Sequence, residues 1–184
     1  RKWIERILAG DTQSFSCLVA KYEKMAYTIA LRILENREEA EEAVQDAFVK
    51  MYRALSDFHF DSKFSTWFYR IVYRSALTAL RQQRMFVSYE EAGPVDLSND
   101  EVESATALLE REDRKEMIAR TLKKLPADEA LLLTLYYLEE CSVEEICQIT
   151  ELSASNVKVK LFRGRKRFYE VLQDKMKLET ADLL

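Results

Sequence analysis

Residues 142–168 read SVEEICQITELSASNVKVKLFRGRKRF, and this stretch decides the fold. Ser142 with Glu145 three residues on is a capping box, which starts a helix. Ile146 and Ile149 supply the apolar side of that helix, and Thr150-Glu151-Leu152 breaks it. Ser153 then caps a second helix that continues past Phe168. On this second helix Val157, Leu161 and Phe168 share one face, with the small Gly164 between them. At about 100° per residue, Ser155, Val159, Phe162, Arg163 and Lys166 turn the other way, with Asn156 and Lys158 on the flanks. A helix with a dry side for its own domain and a wet, basic side suits the major groove of duplex DNA. The alternative is a surface helix that is merely basic. Cap, turn length and charge segregation agree on the first reading.

Composition bounds the rest. A chain of 184 residues holds one or two domains with modest helical cores. Three Gly and two Pro against 48% hydrophobic residues leave few turns, so the expected fold is all-α. Cys17, Cys141 and Cys147 form no CxxC pair, and their odd number fits a reducing cytoplasm. With His59 the single histidine, a metal site lacks ligands, and no cofactor is expected. No apolar run reaches the ~18 residues of a membrane span. The chain opens Arg1-Lys2 without Met, so the natural start is expected upstream, which leaves room for a leader.

The net charge of −4 argues against nucleic acid until it is divided along the chain. Residues 63–84 hold Lys63, Arg70, Arg74, Arg81 and Arg84 with no acid, and residues 153–168 hold six cations with no acid. Everything else is therefore strongly acidic. Two cationic stretches on an anionic chain imply two separate phosphate-facing surfaces.

In chain order, Trp3, Ile4, Ile7 and Leu8 make a short helix ended by Gly10, and Asp11 caps a long one running to Leu34. After Asn36, a third helix puts Ala40, Ala43, Val44, Ala47, Phe48, Met51 and Leu55 on one face and Glu38, Glu39, Glu41, Glu42 and Asp46 on the other. That acidic side is either ordinary solvated surface or a docking face for a basic or coiled-coil partner. SDFHFDS (56–62) breaks the pattern, and a helix is expected from Ser65 or Thr66. There Phe64, Trp67, Phe68, Tyr69 and Tyr73 interleave with Arg70 and Arg74. Trp67, Ile71 and Phe68 read as core, yet five aromatics in ten residues exceed one buried stripe, and aromatics beside cations suit unpaired bases. Residues 85–104 read as an acidic, flexible linker. Helicity resumes near Ser104, Pro126 stops it, and Asp128 opens a helix burying Leu131, Leu132, Leu135, Tyr136 and Leu138. The chain thus divides into helical domains at 1–84 and 105–176, with a short unpatterned tail at 177–184.

Five motifs in register now carry a resemblance: Gly10-Asp11 with Phe15, Leu18 and Tyr22; EEAEEAVQDAFVKMYRAL; KFSTWFYRI; LKKLP; and SASNVKVKLFRGRKRF. In order and spacing the chain resembles an extracytoplasmic-function (ECF) sigma factor of bacterial RNA polymerase, of the sigma-70 family. The resemblance implies a region 2 bundle at 1–84 and a region 4 helix-turn-helix at 105–176. It implies that Glu42, Gln45, Asp46 and Phe48 dock on the β′ clamp of core polymerase, and that the β flap is a further contact. Phe58, His59, Phe60, Lys63, Trp67, Arg70 and Arg74 would open and hold the minus-10 element. Ser155, Lys158, Phe162 and Arg163 would read minus-35 bases, with Lys160, Arg165 and Arg167 toward phosphate or packing and Asn156 and Lys166 in the same DNA-binding set. The family often carries Asn and Asp where this chain has Arg74 and Thr78, and a turn glycine where it has Glu151. No enzymatic activity is implied, because the polymerase does the chemistry. The implied partners are promoter DNA, core polymerase and an anti-sigma factor, in the cytoplasm or sequestered at the inner face of the membrane by a membrane-bound anti-sigma factor. The competing reading is a helix-turn-helix regulator with a helical sensor or dimerisation domain. An enzyme acting on DNA would need a nucleophile or acidic cluster that the sequence does not offer.

Overall fold

The computed structural model describes residues 2–87 and 109–181, with side chains within 2–83 and 115–174. The acidic tether expected over 85–104 lies outside this, except that a helix continues through Val87, three residues past the boundary expected at 84. Among the described residues there is no strand. The fold is all-α, with region 2 and region 4 helical groups.

The first group is built on three long helices. α1 (Lys2–Leu8) ends at Gly10, whose φ of 92° is a left-handed turn that glycine takes without strain. Asp11 then caps α2 (Thr12–Leu34), its Oδ1 accepting from the Gln13 and Ser14 amides at 3.0 and 3.2 Å. Asn36 caps α3 (Arg37–Arg53) through the Glu39 amide at 3.1 Å. A 3-10 turn at Leu55–Asp57 leads to α4 (Phe64–Val87), which begins at Phe64 rather than one or two residues later. Ala26 and Ala30 of α2, Ala40, Ala43 and Ala47 of α3, and Ala76 of α4 are all buried. These small side chains let the three axes approach, and Leu18, Ile29, Met51, Phe68 and Val72 fill the space between them.

The second group comprises α5 (Leu109–Lys123), α6 (Ala127–Leu133), α7 (Val143–Thr150) and α8 (Ala154–Ala181). α6 starts at Ala127, directly after Pro126, so Asp128 sits inside the first turn rather than before it. Leu131, Leu132 and Leu135 are buried as expected, but Tyr136 and Leu138 are 37% and 53% exposed. The cause is a π turn over Thr134–Leu138, where the Glu139 amide reaches back five residues to the Thr134 carbonyl at 3.2 Å. The wider turn rotates Tyr136 and Leu138 off the buried face. Ser142 and Glu145 form the full capping box of α7, which buries Ile146 and Ile149. Val157, Leu161 and Gly164 of α8 lie against this base. A Cβ added at Gly164 would meet Leu133 Cδ1 at 3.2 Å and Glu129 Cβ at 3.3 Å, so α6 and α8 cross where only glycine fits without adjustment. α8 runs to Ala181, through the stretch expected to be tail, because no glycine or proline stops it.

The two groups pack together, α4 against α7 and α2 against α6. Arg32 Nη1 also donates to the Leu122 carbonyl at 3.3 Å across this seam.

Candidate nucleic-acid interface

The outer face of α8 is open. Ser153 Oγ accepts from the Asn156 amide at 3.3 Å, which starts the helix with Val157 and Leu161 facing inward. Ser155, Asn156, Lys158, Val159, Arg163 and Lys166 are consequently exposed, and Phe162 is 64% exposed. An exposed aromatic and a valine between cations suit a groove floor that offers acceptors and thymine methyls. The remaining cations serve other groups. Lys160 pairs with Asp128. Arg167 Nη1 meets Glu129 Oε1 at 2.9 Å, and that carboxylate's side chain is only 7% exposed. Arg165 Nη1 donates to the Tyr137 hydroxyl at 3.4 Å, and Lys166 lies 3.9 Å from Glu170. Lys160 and Arg167 therefore tie α8 to α6, while Lys158 and Arg163 face solvent.

The α4 side is arranged differently. Phe58 points inward from the loop, with its ring 5.0 Å from Trp67 and 4.7 Å from Phe60. His59 and Phe60 are exposed, Phe60 at a φ of 63°. Phe68 is fully buried, 4.7 Å from Phe48, and Tyr69 is buried too, while Phe64 and Trp67 line the edge of the same cluster. α4 holds so many aromatics because it is covered on two sides, by α2 and α3 on one and by α7 on the other.

Lys63, Arg70 and Arg74 are met by carboxylates from the second group. Lys63 Nζ lies 3.0 Å from Glu145 Oε1, and Thr66 Oγ1 donates to the same oxygen at 3.4 Å. The Tyr69 hydroxyl donates to Glu139 Oε2 at 2.8 Å. Arg74 brings Nε (2.8 Å) and Nη2 to Glu151 Oε1, and Arg70 Nη2 reaches that oxygen at 3.5 Å. Glu151 ends α7 at a φ of 61°, so the helix-turn-helix turn keeps its left-handed backbone without a glycine. Hydrogen bonding from Arg74 holds the Glu151 carboxyl below its ordinary value. Burial pushes Glu145 up, but the Ser142 amide and Lys63 outweigh it and hold the carboxyl down. The Glu145 contact in turn raises Lys63. Burial, then Glu139, raises Tyr69. Sequence reasoning missed Glu139, Glu145 and Glu151 as partners of α4, and the one signal was a charged residue at a turn that favours glycine.

The third surface is the outer side of α3. Glu42, Gln45 and Asp46 are exposed, Asp46 pairing with Lys50 at 2.6 Å. Phe48 is buried against Phe68 and shows only an edge to solvent. That edge floors an apolar groove of about 500 Å³ walled by Phe15, Val19, Val49 and Tyr52. Val49 and Tyr52 are exposed beside the acidic residues and were not singled out from the sequence. Among the described residues no cluster of three or more His, Cys, Asp or Glu could hold a metal, and no helix is long and apolar enough to cross a membrane.

Residues 18–85 match Sigma-70 region 2, and residues 115–168 match Sigma-70, region 4. A helical pair of this kind defines a transcription initiation factor that binds DNA and is not an enzyme. The chain is 32% identical over 177 residues to the RNA polymerase sigma-H factor of Pseudomonas aeruginosa, covering 92% of each. It is 30% identical over 170 residues to the ECF RNA polymerase sigma-E factor of Escherichia coli, covering 89% of this chain and 88% of the relative. The chain belongs to the ECF sigma factors of the sigma-70 family. The fold is also that of the sigma factor RpoE solved with the anti-sigma factor NepR from Bartonella quintana (TM-score 0.70, 18% identity, 88% of this chain and 98% of that one). CnrH, solved with the cytosolic domain of CnrY, is similar as well (TM-score 0.61, 21% identity, 95% and 97% covered).

Proposed function

We propose that this chain confers promoter specificity on RNA polymerase through three surfaces. The outer face of α8 reads duplex minus-35 DNA, with Ser155, Asn156, Lys158, Phe162, Arg163 and Lys166 toward bases and Arg165 toward phosphate. The loop and α4, through His59, Phe60, Lys63, Trp67, Arg70 and Arg74, hold the opened minus-10 strand, and Phe58 shapes the pocket from beneath. Stacking and phosphate contacts there offset the few kcal/mol lost per unstacked step. Glu42, Gln45 and Asp46 dock on the basic β′ clamp, with Val49 and Tyr52 adding apolar contact over Phe48, and region 4 meets the β flap. The functional division falls at 1–84 and 105–176.

The observation that carries this reading is one chain with an exposed basic recognition helix and a separate aromatic-basic helix. A helix-turn-helix regulator uses the first and has no use for the second. Reconstitution tests the difference: purified core polymerase should retain the chain and form open complexes, seen as permanganate-reactive thymines at minus-10. A chain that binds duplex DNA but is never retained by core polymerase is a regulator instead. We further propose an anti-sigma partner, in line with the fold neighbour solved with one, and a cytoplasmic location in which a membrane-bound anti-sigma factor holds the chain at the inner membrane face. Co-purification with a membrane protein from unstressed cells, lost on induction, tests that arm.

A further inference from the structure

A second cavity, of about 490 Å³, lies where the end of α2 and the middle turns of α4 meet the start of α6. Its size is that of a small-molecule pocket, roughly 300–1,000 Å³. Leu80 and Leu131 give it apolar walls, and Tyr73 adds a half-buried ring. Arg32 lines the same space and is half-buried. Its Nη1 donates to the Leu122 carbonyl at 3.3 Å, near the end of α5, which occupies one of the guanidinium's donors. Among the described residues no carboxylate pairs with Arg32, although burial lowers it below its ordinary value. A lysine would serve the Leu122 carbonyl equally well. A half-buried planar fork with donors to spare suits a phosphate.

Two acids in the same lining narrow the class of anion. Asp128 is paired with Lys160, and Glu35 is exposed just past α2. Both disfavour a bare polyanion, and an aliphatic carboxylate has no use for either. Both can accept from hydroxyl groups, as carboxylates do from a ribose. Burial, then Glu151 and Asp128, raise the Tyr73 hydroxyl, which stays a donor. From this combination we infer that the cavity is a binding site for a nucleoside monophosphate. The phosphate meets Arg32, the sugar hydroxyls face Glu35 and Asp128, and the base lies against Tyr73 and the leucines. None of the residues proposed for DNA or polymerase lines it. Its walls come from both groups of helices, so a bound nucleotide stabilises the packed chain by mass action.

Equilibrium dialysis of the full-length chain against adenosine, guanosine, cytidine and uridine 5′-monophosphates tests this, with the nucleosides and inorganic phosphate as comparators. The expected result is one saturable site for at least one nucleotide, with a Kd below about 1 mM and a melting temperature that climbs with its concentration. Its nucleoside and inorganic phosphate should bind at least about tenfold more weakly. Arg32→Lys keeps a charge and a donor for Leu122 but loses the fork. Ala127→Glu sets a competing carboxylate in the first turn of α6, where a helix favours acids. Each should weaken binding by roughly tenfold or more, whereas Gln173→Glu, outside the cavity, should not. If Arg32→Lys melts early, Ala127→Glu decides. Saturation by none of the four nucleotides overturns the inference, as does inorganic phosphate or the nucleoside binding as tightly as the nucleotide. Unchanged affinity in Ala127→Glu overturns it as well, because the nucleotide then sits on the DNA-facing cations, which that substitution leaves intact.

Discussion

On α8 the inward-leaning cations are neutralised by their own group of helices, Lys160 by Asp128 and Arg167 by Glu129, and the outward Lys158 and Arg163 are exposed. At the start of α4 three outward cations are neutralised, and by the other group: Lys63 by Glu145, Arg70 and Arg74 by Glu151. Pairing within a packed unit is part of folding and persists whenever that unit is folded. Pairing across a seam between two units lasts only as long as the seam does. The same residue types at similar density thus make a permanently presented surface in one place and a conditional one in the other.

The strongest way to break the comparison is to unseat α8. Leu161→Ala removes a buried side chain from the α6–α8 base and should cost about 2–5 kcal/mol, read as an early transition in urea unfolding. An unchanged curve would mean that α8 is not anchored as described. Next in size, Arg167→Ala strands the buried Glu129 carboxylate, one of whose oxygens already lacks a partner, and should cost ~1–3 kcal/mol of stability. Adding Glu129→Gln should return part of that loss, which a phosphate-binding role for Arg167 would not predict. Arg163→Ala should leave thermal stability unchanged and remove ~1–3 kcal/mol of discrimination at one minus-35 base pair, seen by competition between single-base operator variants. Uniform loss across all sequences would make Arg163 a phosphate contact.

The smallest effect is with pH. Glu145 and Glu151 lie below their ordinary 4.5 where α7 packs on α4. Their contribution to that seam is complete above that value and disappears as the pH falls through the lowered ones. The groups around them are Lys63 just before α4, Thr66, Tyr69, Arg70, Tyr73 and Arg74 on α4, and Glu139, Glu140, Cys141 and Glu144 beside them. Scattering should report expansion as the pH falls below the ordinary carboxyl value, with helicity retained by circular dichroism. Expansion on raising the pH from 5 to 8 would contradict the sign.

Much of this was legible because it is local. Asp11, Asn36, Ser142 with Glu145, and Ser153 act on amides two or three residues away, so a short window contains both partners. The inward set Val157, Leu161 and Gly164 follows from helical period alone. Tyr136 and Leu138 were misplaced because a π turn leaves no trace in apolar spacing, which assumes 3.6 residues per turn throughout. The end of α8 was misplaced because the stretch after Lys177 has weak periodicity but also no stop signal. The α4–α7 seam was invisible for another reason. It joins residues about 80 positions apart, such as Lys63 and Glu145, and segment charge says that each side is charged without saying that they meet. The aromatic excess in residues 64–73 was a real clue, since it required a second covering surface.

Glu35, Glu140 and Glu151 all adopt positive φ, at 55°, 52° and 61°. A left-handed conformation costs an L residue roughly 1–2 kcal/mol that glycine avoids. At Glu35 a change to glycine would raise the melting temperature and leave α4 and α7 as they are. At Glu151 the same change would relieve the backbone and also free Arg74. One position thus trades backbone ease against an ion pair across the seam between the two groups.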